Sequence, residues 1–309
     1  MNTFLLKCAQ NLPVKTVPRE LSVFPVNYIV RGPPFAGKTA YLRELARRHG
    51  AVYIDLLYAA FYNMYVDDLV AYIIQNSQNK RVVLDHYDSY NNVSSLIHSL
   101  LVHDYSVLLS ERAQRVFVPF PHVIFLPYSF REYAAATHTA PSPSLLQKYL
   151  WEGGFPEIVH NITPRDIFLE KIATFAGNDL QKAPVKTLEK LYIIFPCARM
   201  YFACDPIFAG ICDTADAETI AVYTHILRRV KKPSLISCFT AQNDIVFQIP
   251  SRSCAVAFTE NTEKIIKILK KQNFQNKIIV MRKYEPYEES HHDIRICSLY
   301  SFLATEILP

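Results

Sequence analysis

The sequence predicts an α/β protein: a parallel, three-layer sandwich followed by a helical stretch and a second, mixed α/β region. Two observations predict it. A short apolar strand, a loop with glycine at both ends and a helix follow one another at residues 27–50. Short apolar runs then keep alternating with helical patterns as far as about residue 130, which implies strands joined by crossover helices.

The elements run as follows. Residues 27–30 read as a strand, and 40–50 as a helix stopped by Gly50. Residues 51–55 and 81–85 are strands. Between them 67–76 is a helix with Leu69, Val70, Ile73 and Ile74 on one face. A helix over 93–102 precedes strands at 106–110 and 122–126. Residues 1–26, with Pro13, Pro18 and Pro25, read as an irregular lead-in. The Thr/Ala/Pro/Ser stretch at 137–144 is a break. A helix over 145–151 ends at Gly153-Gly154-Phe155-Pro156, and 166–195 carry two helical patterns around Gly177-Asn178. Beyond residue 199 the pattern is mixed, with strands at 200–203, 244–249, 253–258 and 277–281, and helices at 219–229 and 262–272.

Composition narrows the class. A chain of 309 residues is long enough for two domains and a connector. No apolar run approaches the ~20 residues a bilayer span needs, and no signal-peptide pattern opens the chain, so a cytoplasmic protein without a membrane partner is expected. Seven cysteines, at 8, 197, 204, 212, 238, 254 and 297, show no metal-site spacing and read as buried free thiols. His291-His292 reads as an exposed turn rather than a ligand pair. Low glycine with abundant Pro, Tyr and Ile leans toward a thermophile. The net charge of +5 is small, so binding to nucleic acid would have to rest on local clusters.

The loop carries chemistry. Gly32-Pro33-Pro34-Phe35-Ala36-Gly37-Lys38-Thr39 fits G-x-x-x-x-G-K-[ST] at every required position, in the strand–loop–helix context a P-loop needs. The glycines allow a tight turn whose N–H groups face phosphate oxygens. The helix entering at Lys38 and Ala40 adds its positive dipole end. Lys38 is placed to reach the β- and γ-phosphates, and Thr39 to offer its hydroxyl to Mg²⁺. Gly32 through Ala40 are therefore the candidate nucleotide-binding residues for ATP or ADP. No guanine-reading motif is visible.

Val82-Val83-Leu84-Asp85 is an apolar strand ending in an acid that can order Mg²⁺ beside the loop, a Walker B arrangement. Thr39 and Asp85 are the candidate metal residues. Position 86 is histidine, where many such ATPases carry glutamate. Two readings stay open: His86 takes a proton from water, with Asp88 as a substitute acid, or the site binds ATP and hydrolyses it slowly or not at all. Ser110, ending the fourth strand, is placed to sense the γ-phosphate. Arg112 and Arg115 follow as candidate arginine fingers toward a neighbouring copy.

Several segments together resemble a known family. The P-loop, Leu84-Asp85, Leu126-Pro127-Tyr128-Ser129-Phe130-Arg131-Glu132-Tyr133, and Tyr149-Leu150-Trp151-Glu152-Gly153-Gly154-Phe155-Pro156-Glu157 occur in that order. They look like archaeal and bacterial AAA+-type ATPases with a C-terminal restriction-nuclease-like domain. Arg199 to Pro206, Ala217 to Arg229, Asn243 to Phe247 and Ser298 to Leu303 are similar to the strand, helix, acidic strand and closing helix of that last domain. The resemblance implies a P-loop ATPase core over 1–136, a helical lid with a reduced winged-helix-like connector over 137–196, and a nuclease-like domain over 197–309. It further implies a switch whose nucleotide state sets the angle between core and tail. Glu218 and Asp244 match two of the nuclease acids, but strand 253–258 lacks the expected Glu-x-Lys, so the tail is expected to be inactive. Two basic clusters, Arg228, Arg229, Lys231 and Lys232, then Lys264, Lys267, Lys270, Lys271, Lys277, Arg282 and Lys283, suggest either a solvated face or DNA binding. The expectation is thus an ATP-binding switch with slow or assembly-dependent hydrolysis, acting alone, as a homo-oligomer or with a protein partner. The alternative is a DNA-binding protein with a vestigial nucleotide site; a third reading, an active nuclease, is disfavoured by the missing lysine.

Overall fold

The computed structural model describes residues 27–113, 118–177, 179–198, 200–210, 214–241 and 244–305. The chain divides into two compact units, Met1–Phe125 and Leu126–Pro309. The segments 137–196 and 197–309, expected to be separate, both fall in the second.

The first unit holds strands β1 (Tyr28–Arg31), β2 (Val52–Asp55), β3 (Arg81–Asp85), β4 (Ser106–Ser110) and β5 (His122–Ile124). Its helices are α1 (Lys38–His49), α2 (Leu56–Phe61), α3 (Val66–Asn76) and α4 (Val93–Val102). The strands form one parallel sheet in the order β2-β3-β4-β1-β5. Successive side chains leave a strand on opposite faces. Ile29, Ile54, Leu84 and Leu109 accordingly pack on one face with Leu69 and Ile73 of α3 and Leu96 and Leu100 of α4. Val30, Tyr53, Val83 and Leu108 pack on the other with Leu42, Leu45 and Ala46 of α1. This is a three-layer, P-loop-like α/β fold. Parallel register brings the C-terminal strand ends, Arg31, Asp55, Asp85 and Ser110, to one edge of the sheet, the edge where open α/β sheets take ligands.

The second unit begins with helices α5 (Phe130–Ala136), α6 (Pro143–Glu152), α7 (Pro156–Val159), α8 (Arg165–Ala176) and α9 (Val185–Lys190). A hairpin, β6 (Ile194–Cys197) with β7 (Met200–Ala203), follows, then α10 (Ala217–Val230). The rest is a six-stranded mixed sheet of β8 (Ser237–Ala241), β9 (Asp244–Ile249), β10 (Cys254–Thr259), β11 (Asn276–Met281), β12 (Glu288–His291) and β13 (Ile294–Ser298), with helices α11 (Thr262–Lys270) and α12 (Leu299–Ala304). The order is β12-β13-β11-β10-β9-β8, with β10, β11 and β13 parallel and the other pairings antiparallel. Ile265 and Leu269 of α11 are buried on Val246, Ala257, Ile279 and Ile296.

Part of the expected helical stretch 166–195 is not helical. Helix α8 ends at Gly177, left-handed with φ 100°, α9 is only six residues long, and residues 194–195 pair with β7 instead. The local period there gives way to a cross-strand partner. Strand β12 escaped the reading because Glu288, Glu289, Ser290 and His291 are all exposed; only pairing with β13 makes them a strand. No helix among the described residues is long and apolar enough to cross a membrane.

Candidate functional site

The site is built at the strand ends of the first unit. Helix α1 starts at Lys38, and Gly37 before it has φ 90°, a left-handed turn that glycine makes without penalty. Gly32 is glycine for a different reason: a Cβ there would strike the Phe125 carbonyl. Pro33, Pro34 and Ala36 are buried, while Phe35, with φ 63°, Thr39 and Ala40 are half-buried. Lys38 is buried and donates from Nζ to the Gly32 and Pro33 carbonyls, each at 2.8 Å. Burial pulls its pKa down to about 8, against the opposing charges of Asp85, Asp88 and Glu111.

Asp85 is fully buried at the end of β3. Its carboxylate accepts from the Tyr53 hydroxyl at 2.8 Å, the His86 N–H at 3.0 Å, and the Ser110 and Thr39 hydroxyls. Burial alone would raise this carboxyl. The His86 charge and the hydroxyl donors outweigh burial and hold it below the usual carboxylate range.

The register of β2 against β3 pairs Asp55 with Asp85. Asp55 caps α2 by accepting from the Leu57 N–H at 3.1 Å, and also meets His86 Nδ1 at 2.9 Å. His86 holds a left-handed backbone, φ 54°. Burial works against its positive form, but the Asp55 hydrogen bond and the Asp85 and Asp55 charges outweigh it and raise its pKa. Ligand atoms of Asp55, Asp85 and His86 lie within 4.8 Å of one another.

Asp88 turns to the loop after β4, accepting from the backbone N–H of Arg112 at 3.1 Å and Ala113 at 3.2 Å. Arg112 sits close enough within the same chain for its charge to act on Lys38 and His86. Arg115 lies outside the described residues.

Three contributors were not read from the sequence. Asp55 ends a strand as many acids do, and only sheet register sets it beside Asp85. Tyr53 lies within a short strand; its ring packs in the core while its hydroxyl serves Asp85. Glu111 is fully buried and pairs with Arg31 at 2.8 Å and the Tyr87 hydroxyl at 2.5 Å, tying β4 to the base of the glycine loop. A charged residue directly after the Ser110 strand end was the available signal.

The second unit shows what its motifs do. Ser129 and Glu132 form a capping box on α5. Arg228 reaches both Glu132, at 3.7 Å, and the Pro127 carbonyl. Gly154 donates to the buried Asp205 carboxylate at 2.8 Å, and its own carbonyl accepts from the Tyr128 N–H at 2.7 Å. A Cβ at Gly154 would strike the Tyr128 carbonyl. Glu218, matched to a nuclease acid, is bound by Arg282 at 2.6 Å and by Tyr284, while β10 is buried along its whole length. The second basic cluster also shrinks. Lys277 pairs with Asp293 and Arg282 with Asp216, Glu218 and Glu260, leaving Lys264, Lys267, Lys270 and Lys271 exposed on and beside α11, and Lys283 exposed over the Tyr287 ring.

No protein-family model and no curated protein matches the chain. Among solved structures the chain is similar to PCH-2 of C. elegans, at 13% identity and a TM-score of 0.27. That match covers 48% of this chain and 48% of the other, so this chain spans about half of that structure.

Proposed function

We propose that the protein binds Mg²⁺-ATP at the strand ends of its first unit and works as a nucleotide switch with slow hydrolysis. The observation that carries this reading is the joining of two separate motifs at one point: the Thr39 hydroxyl after the glycine loop bonds the buried Asp85 carboxylate after β3. A hydroxyl and an ionised carboxylate are the hard oxygen donors Mg²⁺ prefers. Lys38, buried and bonded only to carbonyls of its own loop among the described contacts, suits a phosphate oxygen as an exchange partner. The Gly37 turn and the start of α1 add N–H groups of the kind phosphate takes. When bound, Mg²⁺ would neutralise phosphate charge; Thr39 and Asp85 would hold it.

Slow turnover follows from position 86. Two carboxylates raise the His86 pKa and so favour its protonated form, which has no lone pair to take a proton from water. Asp88, engaged with the 112–113 backbone, is no ready substitute. In this reading His86 and Arg112 act as cations toward the triphosphate within one chain. Titration calorimetry with Mg²⁺-ATP tests the proposal: wild type binds and Lys38→Ala binds about 100-fold more weakly. Equal binding by both, or by neither, sinks it.

The exposed lysines of α11 favour a second reading for the other unit, contact with DNA. Binding to a duplex that weakens steeply with added salt, and weakens again on Lys264→Glu with Lys267→Glu, would support it; salt-independent or absent binding would dismiss it.

A further inference from the structure

Two of the cysteines face each other across the second unit. Cys197 ends β6 of the hairpin and Cys238 lies in β8, the edge strand of the six-stranded sheet. Both are buried. Their contacts interlock. The Cys238 thiol is directed at the Cys197 carbonyl, 3.3 Å away, and the Cys197 thiol at the Ile236 carbonyl, 3.5 Å away. The two sulfurs are also hydrogen-bond partners of each other. The Cys238 sulfur thus lies against the backbone of Cys197, which sets the two side chains next to each other, the first requirement for a disulfide. Beside them the Tyr223 hydroxyl is buried, has no hydrogen-bond partner among the described residues, and feels both sulfurs. Tyr223 stacks on Phe202 of β7 at 4.5 Å, so the pair rests on a fixed aromatic floor.

We infer that Cys197 and Cys238 form a reversible disulfide that locks the β6–β7 hairpin to the edge of the six-stranded sheet. The oxidant is a low-molecular-weight disulfide such as oxidised glutathione. The hydrogen bond from Cys197 lowers the Cys238 thiol despite burial, which makes Cys238 the attacking thiolate. It attacks one sulfur of the oxidant, forms a mixed disulfide and expels one thiolate. Cys197 gives up its proton, attacks the Cys238 sulfur and expels the second. Two electrons pass from the cysteines to the oxidant, and the two protons end on the two released thiols. Edge strands open locally more readily than central ones, and that opening admits the oxidant to buried sulfurs. The bond would close a loop containing all of α10, so it restricts the unfolded chain as well as pinning the hairpin.

The test uses the full chain. Protein reduced and freed of reductant is incubated with oxidised glutathione under native conditions, alkylated, digested and mapped by mass. The expected result is one peptide pair joined through Cys197 and Cys238, about 2 Da lighter than the two reduced peptides together. The oxidised protein should also melt several degrees above the reduced one, a shift that Cys238→Ala abolishes. Alkylation of both cysteines, a lasting glutathione adduct on either, or a link from either to another cysteine would overturn the assignment. Should Cys238→Ala fail to fold, the wild-type map decides alone.

Discussion

Two aspartates, one in each unit, are almost wholly shut off from water, and the protein treats them in opposite ways. Asp85 collects donors from Tyr53, Ser110, Thr39 and the His86 backbone, beside an imidazole charge, and stays ionised. Among the described residues, Asp205 receives only the N–H groups of Ile207, at 3.0 Å, and Gly154, with Arg228 acting from further off. Burial wins there and pushes its carboxyl up to about 7. The difference separates chemistry from architecture. A buried acid kept charged by hydroxyls from two strands and from the start of α1 presents an anionic oxygen at the strand ends. A buried acid that clasps a diglycine loop holds the fold together, and its charge is a liability.

The comparison breaks most visibly with pH. Asp205 has a folded pKa raised above its unfolded value, so its favourable contribution is complete below about pH 4 and is lost as pH rises through about 7. Ionising it in the fold opposes stability by on the order of 4 kcal/mol, read from the size of the shift. Denaturant unfolding of the second unit should therefore weaken between pH 5 and 8 by part of ~4 kcal/mol, and Asp205→Asn should flatten that slope. A slope unchanged in the variant would mean another group titrates.

Next in size, Gly154→Ala forces the Tyr128 carbonyl away from the clasp. The expected loss is about 3 kcal/mol, typical of backbone collision in a packed site, read as a lower denaturation midpoint. A near-neutral result would show the clasp to be loose.

In the first unit, Lys38→Ala should weaken Mg²⁺-ATP binding by about 100-fold, the worth of one or two charge-assisted hydrogen bonds. Calorimetry reads it. Smallest is position 86. His86→Glu alone would crowd three carboxylates together, so Asp55→Asn is needed beside it. The double variant should raise the steady rate of phosphate release by about 10-fold, at the lower end of what a general base supplies. No gain would place the limit elsewhere, with Arg112 the next residue to vary.

Much of the first unit was legible because its signals are local. Strands 81–85 and 106–110 and helix 93–102 were bounded to the residue, since apolar runs and helical periods end sharply at Lys80, Asp104 and Tyr105. The turn of the glycine loop was legible because glycine and lysine at fixed spacing carry their own geometry. Strands β6, β8 and β12 were not, because each is short and lacks a clean apolar alternation, so that only pairing with the strand that follows it makes it a strand. The motifs around Pro127 and Gly153 could be matched but not explained until Arg228 and Asp205, 50 to 100 residues further on, were seen to hold them.

By itself, then, the sequence determined the loop, the strand that ends in Asp85 and the layered α/β order, since propensity, period and glycine placement act within a few residues. Tertiary structure alone decided that Asp55 neutralises His86, that Glu111 ties off Arg31, that Arg282 occupies Glu218 and that Cys238 meets Cys197. Each of these is a contact across a sheet or between layers, set by register and packing, and ionisation in a buried site follows the neighbours gathered around it.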